Sequence, residues 1–192
     1  ALSKAKEKAV RLQSLNNTRQ LNLGLNLYAT DFKDKLPVLD GTTAWAWDMP
    51  LAAADAILAA VGQSKKVFYC PSTAAYGFGD QENFLDKAPG NRNLWDFGGN
   101  SFHITGYAFA LSGNSSKLEI TNRNSTLQPE GFTLGAIRYA PQPPSERVLI
   151  ADVIISPPGT PTAARLTTTY TGISGGFYKP HVSAHMKGRF PA

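Results

Sequence analysis

His181 and His185 stand four residues apart, a spacing that on a helix places both imidazoles on one face and suits zinc. Pro180 precedes the pair, Gly188 follows it, and neither a Glu between them nor a nearby Cys completes a ligand set. Surface or hydrogen-bonded imidazoles are the simpler assignment, for these two as for His103. Nucleophilic chemistry has as little to build on. No Gly-x-Ser-x-Gly elbow occurs, and Ser174-Gly175-Gly176 and Ser112-Gly113-Asn114 read as turns. Neither a Walker loop nor a Gly-x-Gly-x-x-Gly after a strand is present, so nucleotide chemistry has no support. The single cysteine, Cys70, cannot form an internal disulfide, and beside Pro71 it reads as a small buried hydrophobe. No catalytic, cofactor-binding or metal residues are assigned, and the chain is not read as an enzyme.

Carboxylates offer one further chemistry. Calcium takes six to eight oxygens with several carboxylates close together. Asp80, Glu82, Asp86 and Asp96 share one Gly-rich loop, where they form either a calcium site or a set of solvated charges. After Asp152 there is no acid at all. The same loop carries Tyr76, Phe78, Trp95, Phe97 and Phe102, which either make a glycan- or protein-binding surface or plug an irregular loop into the core.

The elements that would position these groups follow from pattern. A chain of 192 residues with 42% apolar and 17% charged content can bury a core as one domain, and 17 Gly with 13 Pro imply many turns. From Ala1 to about Phe32 helix formers dominate, without Pro and with Gly24 alone, which predicts a helix of roughly 45 Å. At 100° per residue it carries two apolar stripes. Leu2, Ala5, Ala9, Leu12, Leu23 and Leu27 lie on one side; Leu21, Leu25, Tyr28 and Phe32 lie nearly opposite. The second stripe is assigned to packing on the chain's own head and the first to neighbouring subunits, the alternative being that the domain's own loops cover both. Downstream, Asp48 is expected to cap an Ala-rich helix over 50–61 that Gly62 stops. Strands are expected at 66–70, 104–111, 134–140 and 147–155, with a long irregular insertion at about 71–103.

Net charge is +5, and it is unevenly placed: within residues 1–19, Lys4, Lys6, Lys8, Arg11 and Arg19 face Glu7 alone. A nucleic-acid binder spreads cations over a folded face among aromatics. A basic collar of Lys4, Lys6, Lys8 and Arg11 at one end of a helix suits a membrane boundary instead, and nucleic acid is not expected as a partner. No run of eighteen apolar residues occurs. The helix pattern is already under way at Ala1 without a capping box, as inside a longer helix.

Specific residues also carry a family resemblance. Arg11, Gln13, Asn16, Asn17, Arg19, Gln20, Leu21, Tyr28, Asp31 and Pro37 match the Arg-x-Gln-Cys-x-Asn-Asn-Leu-Arg-Gln-Leu, Tyr-x-x-Asp and Pro pattern of a large set of bacterial pilin-like proteins, with Ser14 at the usual Cys and Thr18 at the usual Leu. Val67-Phe68-Tyr69-Cys70-Pro71-Ser72 and Pro144 through Asp152 resemble two later family segments. His185-Met186-Lys187-Gly188 and Pro191-Ala192 resemble the lead-in to an ending, Gly-Gly-Asn to Asp-Gly-His, that is not reached here. The chain thus resembles type II secretion pseudopilins and type IV pilin-like proteins. The resemblance implies an α+β fold with a long N-terminal helix packed on an antiparallel sheet, residues 1–32 being the exposed half of that helix and 33–192 the head. It also implies about twenty apolar residues upstream that make a single pass through the bacterial inner membrane, cleavage by a prepilin peptidase, and N-methylation. The head would stand in the periplasm or in an extracytoplasmic fibre, and the partners would be other pilin-like subunits. A periplasmic or surface ligand-binding module that borrows the pilin anchor is the alternative. No cofactor is expected beyond calcium in the Gly-rich loop.

Overall fold

The computed structural model describes residues 2–40, 45–62, 64–71, 95–96, 98–113, 118, 123–128, 131–141, 143, 147–153, 171–173, 181–182, 186–187 and 190–191. Helix α1 runs unbroken over Leu2–Asp31, as its composition predicts. It ends without a glycine. Lys33 and Asp34 take left-handed φ values of 54° and 67°, and the Asp34 amide donates to the Ala29 carbonyl at 2.8 Å, the six-to-one closure of a Schellman turn. The turn is then tied down from outside: Leu127 N donates to the Asp34 carbonyl at 2.8 Å and Gln128 N to its carboxylate at 3.2 Å.

Leu21, Leu25 and Ala29 recur at helical spacing on one face of α1 and are fully buried, with Tyr28 half-buried beside them. They pack on α2, Leu51–Ala60, and on a 3-10 turn, Lys65–Phe68. The helices approach closely because Gly24 has no side chain: a Cβ there would lie 2.8 Å from Ile57 Cγ2 and 3.2 Å from Val61 Cγ1. Ile57, Phe68, Tyr107 and Phe109 complete the centre of the core. Phe32, expected on the buried stripe, is instead 51% exposed. It shares the azimuth of Leu21 and Leu25, but the left-handed turn at Lys33 swings the chain away one turn beyond the core, and the ring stacks on Tyr28 at 4.2 Å.

The strands are short and antiparallel. They are β1 (Asp48–Pro50), β2 (Phe102–Ile104), β3 (Tyr107–Phe109), β4 (Phe132–Leu134), β5 (Ile137–Tyr139), β6 (Ile150–Asp152), β7 (Thr171–Ile173), β8 (His181–Val182), β9 (Met186–Lys187) and β10 (Phe190–Pro191). Among the described residues they form two-stranded ladders rather than one sheet, pairing β1 with β2, β3 with β6, β4 with β5, β7 with β8 and β9 with β10. The α+β class therefore stands, and the described strands pair antiparallel as expected, in separate two-stranded ladders.

Local chemistry accounts for the departures from expectation. Asp48 does not cap α2; its carboxylate accepts the Trp45 amide at 3.1 Å, and residues 48–50 join β2 with Met49 opposite His103. The helix that follows ends at Ala60, with Gly62 at φ 88° as its stop. Residues 65–68 wind into the 3-10 turn instead of a strand. The 104–111 strand is interrupted at Thr105, whose hydroxyl lies within hydrogen-bond distance of the carbonyls of Trp47, at 3.0 Å, and Tyr107, at 2.8 Å, and shares its one proton between them. The 134–140 strand is really the second half of a hairpin, with Gly135 at φ 61° in a two-residue turn between Leu134 and Ile137. Among the described residues 147–153 of the strand expected at 147–155, only Ile150–Asp152 are strand, and the irregular insertion yields its last two residues, Phe102 and His103, to β2.

Candidate assembly surface

Opposite its buried face, α1 carries apolar residues in solvent in two stretches, Leu2 to Leu12 and Leu23 to Leu27, with polar Asn16, Arg19 and Gln20 between them. Exposure runs from 86% at Leu2 to 44% at Leu27, with Leu12 and Leu23 between, and Ala5 and Ala9 also open. At 100° per residue these six cluster roughly 180° from the azimuth of Leu21, Leu25 and Ala29, so one domain cannot cover both. No described side chain before Ser14 is buried. The first three turns of the helix therefore stand clear of the head. Leu15 is also 46% exposed, but it lies well off the stripe and the two-stripe pattern misses it.

Where α1 first meets the head, the contact is polar. Ser14 is buried with its hydroxyl 3.0 Å from that of Tyr107, and Asn17 Nδ2 donates to the Tyr69 carbonyl at 3.0 Å. Burial pushes both phenols up: Tyr107, with its hydrogen bond to Ser14 acting the other way, and Tyr69, with the negative charge of Asp96 adding to the burial. Sequence periodicity could not assign this seam, because Ser14 and Asn17 are polar. Their azimuths, continuous with Leu21 and Leu25, were the available signal.

The basic residues flank the stripe without crossing it. Lys4, Lys6 and Lys8 are exposed. Arg11 is committed to Glu7 one turn earlier at 2.8 Å, an exposed pair of the kind that contributes about 0.3–0.5 kcal/mol. The collar thus presents three uncommitted lysines.

Among the described residues, the other candidates do not converge. His181 lies in β8, a strand, so the helical argument for a shared imidazole face does not apply. His185, Asp80, Glu82, Asp86, Tyr76, Phe78 and Phe97 lie outside the described residues. Among the described residues no group of three or more His, Cys, Asp or Glu is placed to hold a metal. Cys70 is buried in the core cluster. Trp95, the natural anchor of a glycan platform, is 2% exposed and packs against Phe68 at 5.2 Å and the His103 ring at 3.9 Å. It plugs its loop into the core. Among the described residues no helix is long and apolar enough to cross a membrane.

Compared with family models, curated proteins and solved structures, the chain matches none.

Proposed function

We propose that the chain is a structural subunit of a pilin-like fibre, of the type II secretion pseudopilus or type IV pilus kind, that works by helical polymerisation. The observation that carries this is the division of α1 into a face packed on the head and an opposite face that leaves Leu2, Ala5, Ala9, Leu12, Leu23 and Leu27 in water on either side of polar Asn16, Arg19 and Gln20. A helix with two apolar faces has two kinds of partner, and the second is another copy or a related subunit. The motif residues Arg11, Gln13, Asn16, Asn17, Arg19, Gln20 and Leu21 supply the family context. In that context an apolar segment upstream anchors the subunit in the bacterial inner membrane after prepilin peptidase cleavage, with the lysine collar at the membrane boundary and the head in the periplasm or an extracytoplasmic fibre.

Energetics explains why the upstream segment matters. Full burial of a leucine contributes about 1.5–3 kcal/mol, and association costs about 4–15 kcal/mol. Leu2, Leu12, Leu23 and Leu27 alone leave little surplus, so copies of residues 1–192 should pair weakly. Cross-linking tests the surface. With Leu12→Cys or Leu27→Cys, membrane-inserted copies carrying the upstream segment should form disulfide dimers, whereas Ala52→Cys on the exposed side of α2 should not. Equal cross-linking at all three positions would reject the assignment of the stripe.

A further inference from the structure

His103 on β2 stands between two elements that are distant in sequence. Its Nδ1 is 2.6 Å from the Trp95 carbonyl oxygen, which can only accept, so Nδ1 carries a proton. In the neutral ring Nε2 is then bare. That nitrogen faces Asp55 Oδ1 of α2 at 3.8 Å, two acceptors with no hydrogen to share. A second proton changes the relation: Nε2–H becomes a cationic donor beside a carboxylate whose side chain is 63% exposed.

Among the described residues, Asp55 is the carboxylate paired with the ring, while the charge of Asp96 reaches Tyr69. From the 3-10 turn, Lys65 Nζ sits 5.3 Å from the centroid of the Trp95 ring, the ring that stacks on His103. Tyr69 meets Trp95 by its edge and donates its hydroxyl to the Ile104 carbonyl. Asp96 follows Trp95 into the exposed turn, and on β1 the Asp48 carboxylate holds the Trp45 amide. On the other side, Trp95 leads into a turn closed by Gly99 N to Asp96 O and Ser101 N to Gly98 O, both at 3.1 Å.

We propose that His103 and Asp55 form a pH-sensitive latch: protonation of the imidazole clips the Trp95–Ser101 turn and β2 onto α2. The inference is independent of fibre assembly. The latch closes when the imidazole carries a proton on both nitrogens and opens when Nε2 loses its own.

Asp55 lies on the surface, so Asp55→Asn leaves a folded protein in which only the latch is lost. The substitution should lower the melting temperature by about 2–4 °C more at about pH 5.5 than at about pH 8. In a His103→Gln background that extra loss should vanish. Amide exchange over residues 98–101, corrected for its intrinsic pH dependence, should slow on acidification in the parent protein and not in Asp55→Asn. An equal effect of Asp55→Asn at both pH values, or acid protection of the turn that survives Asp55→Asn, would overturn the latch.

Discussion

The Ser14 hydroxyl lies 3.0 Å from the hydroxyl of Tyr107, buried at the point where α1 leaves the head for solvent. A buried hydrogen bond of this kind contributes about 0.5–1.5 kcal/mol net, and loss of one partner adds the cost of an unsatisfied group. Ser14→Ala is expected to destabilise the head by about 1–2 kcal/mol in denaturant titration. In the Tyr107→Phe background the same substitution should cost distinctly less, because the orphaned hydroxyl is gone.

Alkaline pH should unfold the head through the same seam. The folded-state pKa values of Tyr107 and Tyr69 are raised by burial, so the native state holds these protons more tightly than the unfolded chain does. The resulting stability is complete below the unfolded value of about 10 and declines as pH climbs above it toward the folded values. Melting temperature should fall steeply above about pH 10, and Tyr107→Phe should flatten that fall. A pH-independent melting temperature up to about pH 11.5 would contradict the burial of both phenols.

The close approach of α1 and α2 depends on Gly24. Valine there would put its Cβ within 2.8 Å of a methyl group on fully buried, β-branched Ile57 and add two more methyls at the same seam. Overpacking of this kind costs about 1–3 kcal/mol, more than the modest gain in helix propensity returns. Gly24→Val should therefore lower stability measurably. An unchanged denaturation midpoint would mean that the helices are farther apart.

Lys33 offers the opposite effect. It sits at the left-handed position that ends α1, a conformation glycine adopts freely and lysine does not. Lys33→Gly should raise stability by about 0.5–1 kcal/mol without altering the helix.

A ligand-binding role centred on Trp95 makes a different forecast from a structural one. With the ring buried against Phe68 and His103, Trp95→Ala should cost about 3–5 kcal/mol and broaden or abolish the thermal transition. A fully stable Trp95→Ala protein that has lost glycan binding would restore the platform.

Composition and punctuation made α1 and α2 legible, and the 3.6-residue repeat made the two faces of α1 legible because that helix is long enough to display it. The burial of Leu21 and Leu25 and the exposure of Leu2 and Leu12 follow from that repeat. Its end was less legible. Phe32 keeps the right azimuth but lies past the core, and Lys33 and Asp34 give no glycine signal for the turn that redirects the chain. The strands were hardest to place. Each described ladder is two or three residues long, too short for a period of two to register, and their limits come from individual hydrogen bonds such as those of Thr105 and Asp48. The polar seam escaped for a simpler reason: Ser14 and Asn17 do not look like core residues until Tyr107 and Tyr69 are placed opposite them.

The most direct measurement is polymerisation of the membrane-inserted chain with Leu12→Asp and Leu23→Asp, set beside the melting temperature of the head carrying the same changes. Both leucines are more than half exposed on the stripe opposite the core. Fibre formation or cross-linking between copies should be lost while the melting temperature stays within about 2 °C of the parent. Undiminished assembly, or a large fall in melting temperature with these two substitutions, would contradict a stripe reserved for neighbouring subunits.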